Sequence, residues 1–271
     1  RLAKRGVRFG QAHCQVAVCN PSRASLMTGL RPDTLGVWTL PIHFREAKPE
    51  AVTLPQWLRR HGYTAVSHGK IYHNPTPDPQ SWSEPIRRVR AQQGYPRSVA
   101  AQIRAAQAKL PSQDWRKNNL RGPGSFATNI DGNKLVDGVN TSLTIGDLRR
   151  LGKTKQPFFV AMGFIRPHLP WIAPKKYWDL YDPKKLPVIT DGKVNANTPP
   201  YALSNSYELT HYVDLIDFPK PWDKRRIPEA QARRLMHAYY ASVSFVDAQI
   251  GRILAALDEE GLADNTIIVL W

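Results

Sequence analysis

The stretch QPFFVAMGFI, residues 156–165, constrains this chain more than any other. It is a continuous apolar run, not an alternating one, and that marks a central strand buried on both faces. It ends in RPHLPW, where Pro167 and Pro170 bracket His168. Other segments repeat the same grammar of a strand that runs into a polar loop. YTAVSHGK, residues 63–70, reads as a strand ending near Lys70; residues 16–19 read as the end of another; NTIIVLW, residues 265–271, reads as a buried strand. Helical patterns lie between them. TLPQWLRRHG places Leu54, Trp57 and Leu58 on one face. Residues 228–261 hold the longest pattern, with Leu235, Tyr239, Val243, Val246, Ile250, Ile253 and Leu257 at three- and four-residue steps. Helices alternating with such strands predict an α/β fold. Sites in these sheets gather at the carboxyl ends of strands, and Cys19, Lys70, His73 and His168 all follow predicted strands closely.

The chain has 271 residues, 42% hydrophobic and 22% charged, enough for one large domain or one with a small appendage. Two stretches break the pattern and read as loop-rich insertions: about 75–152, with one helix at RSVAAQIRAAQAKL, and 183–228. The net charge of +16 favours polyanionic partners, namely nucleic acid, anionic membrane or sulfated and phosphorylated glycans. No Gly-rich phosphate loop, Cys/His zinc spacing or RNA-binding aromatic signature is present, so nucleic acid is not expected. The basic residues are spread in pairs such as Arg59-Arg60, Lys175-Lys176 and Arg225-Arg226, as on any solvated basic surface. No run reaches the ~20 apolar residues of a membrane span, so no membrane is expected either. The opening RLAKRGVRFG lacks the apolar core of a signal peptide and reads like the tail of a helix stopping at Gly6. Beginning and ending inside elements, the chain reads as a fragment.

Both cysteines lie close together, Cys14 and Cys19, with no disulfide framework. In CNPSRASLMTG, residues 19–29, an apolar run breaks at Asn20-Pro21 and a helix begins, with Gly29 as its stop. A cysteine there faces unpaired N–H groups and a positive dipole end, and Arg23 returns to the same side one turn later. Such a turn suits an anion, with Cys19 as a thiolate nucleophile and His13 as the nearest base in sequence. The plainer alternative is an inert buried thiol. Ser22 suits the N-terminal amides as a cap, and Cys14 reads as structural.

The same turn resembles the sulfatase signature Cys-x-Pro-Ser-Arg, followed here by Thr28-Gly29. GYTAVSHGKIYH, residues 62–73, resembles the second sulfatase signature, and PFFVAMGFIRPHLPW the strand and loop that carry a sulfate-contacting side chain. YYASVSFVDAQIGRILAALDEEGLADNTIIVLW is similar to the helix and strand leading to the family's late metal-ligand cluster. Together these cover most of the chain outside the two insertions. Arg31 to Thr34 and Pro-His-Leu-Pro look most like the iduronate-2-sulfatase branch.

The resemblance implies a large, mixed, mostly parallel sheet flanked by helices, of the sulfatase and alkaline-phosphatase-like kind and incomplete at both ends. The whole chain 1–271 would be part of an N-terminal catalytic domain, without its C-terminal subdomain. The implied activity is hydrolysis of a sulfate ester on a sulfated sugar, such as a 2-O-sulfated uronate of a polysaccharide. Cys19 would be oxidised to formylglycine by a formylglycine-generating enzyme reading Pro21, Ser22 and Arg23. One hydroxyl of the hydrated aldehyde attacks sulfur; the second lets the intermediate collapse and expel sulfate. Arg23 would hold the hydrate, Lys70 bridge nucleophile and sulfate, and His73 act as base. His168 would contact sulfate and protonate the leaving alcohol, and Arg166 would face the substrate's charge. Asn140-Thr141-Ser142 is a glycosylation sequon.

This chain departs from the family in its metal site. The resemblance implies one divalent cation, usually Ca2+, held by oxygen ligands and by residue 19 as formylglycine. The remaining ligands are expected before Arg1 and after Trp271, in the rest of the parent protein, and the piece alone is expected to be inactive and incompletely folded. Export, or a lysosomal location in an animal, would follow from the family. Alternatives are a phosphonate monoester or phosphodiester hydrolase of the same superfamily, a non-catalytic binder of sulfated glycans, and a hydrolase using the Cys19 thiol itself.

Overall fold

The structure is a computed structural model and describes residues 2–187, 195–203, 206–220 and 226–271. Positions 188–194, 204–205 and 221–225 of the expected 183–228 insertion, Arg225 among them, lie outside the described residues. The chain divides into two compact units, residues 1–88 with 146–163 and residues 89–145 with 164–271.

The first unit opens with helix α1 (Cys19–Thr28), followed by the short helices α2 (Pro32–Leu35), α3 (Phe44–Ala47) and α4 (Leu54–Arg60), then strand β1 (Thr64–Gly69). Thr53 caps α4: its hydroxyl accepts from the Gln56 amide while the Gln56 side chain accepts from the Thr53 amide. Ala24 and Met27 of α1 pack with Leu35, Phe44, Ala65, Tyr72 and Trp82 in one apolar core. Leu54 and Trp57 of α4 are exposed, not on a buried face as expected; Pro55 is the buried residue of that helix.

The second unit begins with α5 (Val99–Lys109) and strand β2 (Ser125–Thr128). Helix α6 (Val136–Leu151) runs where an irregular insertion was expected. Its two glycines and its β-branched residues are weak helix formers, which hides it from pattern reading. Local bonding and packing explain it. The hydroxyls of Thr141, Ser142 and Thr144 donate back to carbonyls one turn earlier, at 2.8, 3.0 and 2.9 Å. Gly138 is obligatory, since a Cβ there would lie 2.0 Å from the Gly132 carbonyl oxygen.

Strand β3 (Phe158–Gly163) pairs parallel with β1, in the register Ala65 with Phe159 and Gly69 with Gly163. It is not the central, doubly buried strand that its apolar run predicts: among the described residues β1 is its one partner, and Ala161 is its one buried residue. Strand β4 (Trp171–Pro174) pairs parallel with β2. The two sheets have two strands each among the described residues, and with their flanking helices they make an α/β protein. After α7 (Lys175–Trp178) comes α8 (Glu229–Glu259). The buried face of α8 is partly the expected one: Leu235 and Leu257 are buried, but Tyr239 and Val243 are exposed, and Ala238, Ala241, Ser242 and Phe245 are buried instead. Small side chains win because they let α8 approach Ala173 of β4.

Other expectations need correction. No strand precedes Cys19 among the described residues; positions 15–18 are bends. Residues 266–271 are not a buried strand: no described strand pairs with them, and Ile267 is 93% exposed. The opening is a single 3-10 turn, Leu2–Lys4. Cys14 is exposed, not in the core, and both cysteines are free thiols. Asn140 is buried within α6, so the sequon offers no accessible acceptor. No described helix is long and apolar enough to cross a membrane.

Candidate active site

Cys19 is the first residue of α1 and is partly buried. The preceding Val18 is extended and supplies no side-chain cap, and the Ser22 amide makes the first helical bond to the Val18 carbonyl at 3.1 Å. Ser22 is therefore inside the first turn and does not cap it, against expectation. The first turn is fixed instead by Asn20, whose amide nitrogen donates to the carbonyls of Thr39 and Ile42 at 3.0 and 2.6 Å. Amides of that turn point beyond Cys19, where they favour negative charge.

Arg23 sits one turn on. Its Nη1 donates to the carbonyls of Lys70 and Ile71 at 2.6 and 2.9 Å. Burial lowers its pKa, and the nearby Cys19 thiol opposes that. One guanidinium thus joins the cysteine turn to the loop that carries Lys70. The Lys70 amide donates to Gly163 at 2.8 Å, continuing the β1–β3 ladder by one residue. Gly163 must be glycine here, because a Cβ would lie 2.1 Å from the Lys70 carbonyl oxygen.

His73 ends the same loop, and its carbonyl accepts from the amide and hydroxyl of Thr76 at 2.8 and 3.0 Å. The loop is pinned through Tyr72. Its phenol pairs with Ser81 Oγ at 2.7 Å, Ser81 donates to Asp78 at 2.6 Å, and Arg45 grips Asp78 with two bonds of 2.6 and 2.8 Å. Burial pushes the Tyr72 phenol up to about 12, so it stays neutral. Cys19 and Arg23 of α1 and Lys70 and His73 of the loop after β1 are therefore brought together within the first unit on two segments joined by Arg23.

His68, on β1 two residues before Lys70, was not singled out in sequence. Its Nε2–H donates to Asp147 of α6 at 2.7 Å, and its Nδ1 is buried without a hydrogen-bond partner. Burial lowers the imidazole pKa against the pull of Asp147. Burial alone would raise Asp147, but bonds from Arg150 and His68 and the charge of Arg87 hold it below the usual carboxylate range.

Arg166 and His168 belong to the second unit. The His168 Nδ1–H donates to the Leu169 carbonyl at 2.8 Å, which leaves Nε2 facing Glu208 at 3.5 Å. Arg166 donates from Nε to Ile172 at 3.2 Å and from Nη1 to the His168 carbonyl at 3.4 Å. The loop is held from below by Asp137, whose two oxygens accept the amides of Ile165 and Arg166 at 2.8 and 3.0 Å. Asp137, Asp147 and Glu208 are not singled out by the sequence, because isolated acids carry no local signal. His13, the sequence-nearest base, lies in an exposed stretch.

A family profile described as Sulfatase matches residues 1–271. The chain belongs to the sulfatase family. This sulfatase chain is 33% identical over 290 residues to a sulfatase of Formosa agariphila, covering 100% of itself and 52% of that relative. It is 32% identical over 276 residues to iduronate 2-sulfatase of Homo sapiens, covering 99% and 48%. Among solved structures it resembles a phosphonate monoester hydrolase of Silicibacter pomeroyi, with a TM-score of 0.61 at 19% identity over 92% of the chain and 51% of the other. That likeness shows the fold. The sulfatase chain thus spans about half the length of the curated relatives it matches.

No group of three or more His, Cys, Asp or Glu side chains is gathered as a metal site among the described residues. These residues alone do not fit the divalent cation that the family resemblance implies. Cys19 is the single expected ligand they contain.

Proposed function

We propose that the whole protein hydrolyses sulfate esters of a sulfated sugar, with a 2-O-sulfated uronate or related polysaccharide unit as the substrate class, and that Cys19 serves as formylglycine. The observation that carries this is Arg23, which ties the Cys19 turn to the carbonyls of Lys70 and Ile71. As formylglycine, residue 19 supplies a hydrated aldehyde, with one hydroxyl to attack sulfur and a second to let sulfate go. The α1 amides and Arg23 favour negative charge on it. Lys70, whose ammonium makes no ion pair among the described residues, neutralises sulfate oxygens, and His73 takes the proton that releases sulfate. In this reading His168, through Nε2, is the candidate to protonate the leaving alcohol, and Arg166 the candidate to meet the substrate's charge. The net charge of +16 suits a polyanionic substrate. The modifying enzyme, the sulfated glycan and the rest of the parent chain are the partners of this reading, and export or lysosomal delivery its location.

The test uses the full-length protein. Mass spectrometry of the peptide containing residue 19 is expected to show the aldehyde, with sulfate released from 2-O-sulfated uronosides and lost in Cys19→Ala and Lys70→Ala. A free thiol at residue 19 in fully active enzyme overturns the aldehyde chemistry. Turnover of aryl phosphate diesters in preference to aryl sulfates overturns the sulfatase activity.

A further inference from the structure

The second unit contains a cavity of about 790 Å³. That is within the ~300–1,000 Å³ range of sites for small organic ligands. Much of its wall is apolar, including Val99 of α5, Ile172 of β4 and Phe245 of α8. Its charged lining is lopsided: Arg97, Arg121 and Arg166 against one carboxylate, Asp137.

Asp137 does not pair directly with any of these cations. Both its oxygens already accept main-chain amides, at 2.8 and 3.0 Å. Arg166 spends Nε and Nη1 on the carbonyls of Ile172 and His168, and its Nη2 has no acceptor among the described residues. Arg97 makes no ion pair among the described residues, and Arg121 is 3.6 Å from Glu208. A half-buried guanidinium against an apolar wall is costly until an anion meets it. The planar fork of arginine is built to take a carboxylate or a sulfate by two parallel bonds.

The cavity also borders the His168 loop. Leu169 and Pro170 line it, and Arg166 bonds the His168 carbonyl. A substrate engaged by His168 has the cavity within reach.

We propose that this cavity is a second anion subsite, which receives a carboxylate or sulfate of the substrate other than the ester being cleaved, anchored by Arg166. The subsite deepens the functional reading above and rests on His168 contacting the scissile sulfate. It makes the enzyme selective for sugars with two anionic groups.

Two variants of the full-length protein test it. Arg166→Met removes the anchor. Ala100→Trp fills the cavity from α5 and touches none of Cys19, Lys70, His73 or His168; it keeps the test open if Arg166→Met fails to fold. Three probes are compared: a sugar with one sulfate and no other charge, the same sugar with an added carboxylate, and the same with a second sulfate. Binding is read by titration calorimetry and turnover by sulfate release. Both variants are expected to lose about 10- to 100-fold of the preference for a doubly anionic probe, the scale of one charge-assisted hydrogen bond. Ala100→Trp should leave the singly charged probe unchanged. The probe whose advantage disappears identifies the group as carboxylate or sulfate. An unchanged preference in Ala100→Trp overturns the subsite, even with sulfate released normally. Loss of the binding preference in a protein that releases no sulfate from any probe supports the subsite and rejects the sulfatase reading.

Discussion

Two buried aspartates of α6, Asp147 and Asp137, hold candidate site residues in opposite ways. Asp147 is bound by side chains: His68 at 2.7 Å, Arg150 at 2.8 Å and Arg87 at 3.6 Å. Cationic neighbours keep it charged, and it steadies the strand that delivers Lys70. Asp137 is bound by main chain, through the amides of Ile165 and Arg166. Burial pushes its carboxyl above the usual range, against those two amides and the Arg166 charge. It steadies the loop that delivers His168. When the carboxylate of Asp147 is lost, the half-exposed Arg150 and Arg87 rehydrate, and buried His68 alone is left without its acceptor. Main-chain amides of a fixed loop cannot swing away.

The largest expected effect follows from that asymmetry. Asp137→Ala strands two amides and should lower the unfolding free energy by about 3 kcal/mol, with Asp137→Asn losing less because one acceptor remains. Urea denaturation of the full-length protein measures both; equal losses in Ala and Asn variants would break the comparison. Asp147→Ala should cost less, about 1–2 kcal/mol, and a double-mutant cycle with His68→Gln should show coupling. Additivity there would mean that the His68–Asp147 bond contributes nothing measurable.

A smaller effect separates the two by pH. Burial holds folded His68 below its ordinary pKa. Below about pH 6.5 the unfolded imidazole takes a proton that the folded one declines, so stability falls on acidification. Asp137 has the opposite sign. Its folded carboxyl lies above the unfolded value near 3.9, so it binds a proton first as pH falls toward that value and adds stability there. Denaturation midpoints from pH 7 to pH 4 should therefore lose part of their acid decline in His68→Gln and steepen in Asp137→Asn. A wild-type slope in His68→Gln would rule out the imidazole as the source. The smallest effect is none: Asn140 lies on α6 between the two aspartates and is 2% exposed, so Asn140→Gln should change no glycan mass when the protein is secreted from a eukaryotic cell.

Much of the site was readable from residue order, because its chemistry is local. The cysteine turn needs a helix start, a glycine stop and an arginine one turn along, and all lie within residues 19–29. The strands leading to Lys70 and His168 announced themselves by apolar runs, and α8 by its period. Reading failed where the decisive neighbours are far apart in sequence. Helix α6 has poor propensity and stands on hydroxyl back-bonds and a close approach at Gly138. The buried face of α8 keeps Leu235 and Leu257, but alanines replace Tyr239 and Val243 on it, because close approach to β4 favours small side chains.

The order of residues alone therefore determined the family and the α/β class, and it nominates the residues of the proposed chemistry. Tertiary structure decided what holds those residues in place: Arg23 on the Lys70 loop, Asp147 behind β1, and Asp137 beneath the His168 loop. The physical reason is sequence separation. A helix cap or a strand period acts over a few residues, but the carboxylate that satisfies a buried imidazole here comes from 79 positions away, and only folding brings it there.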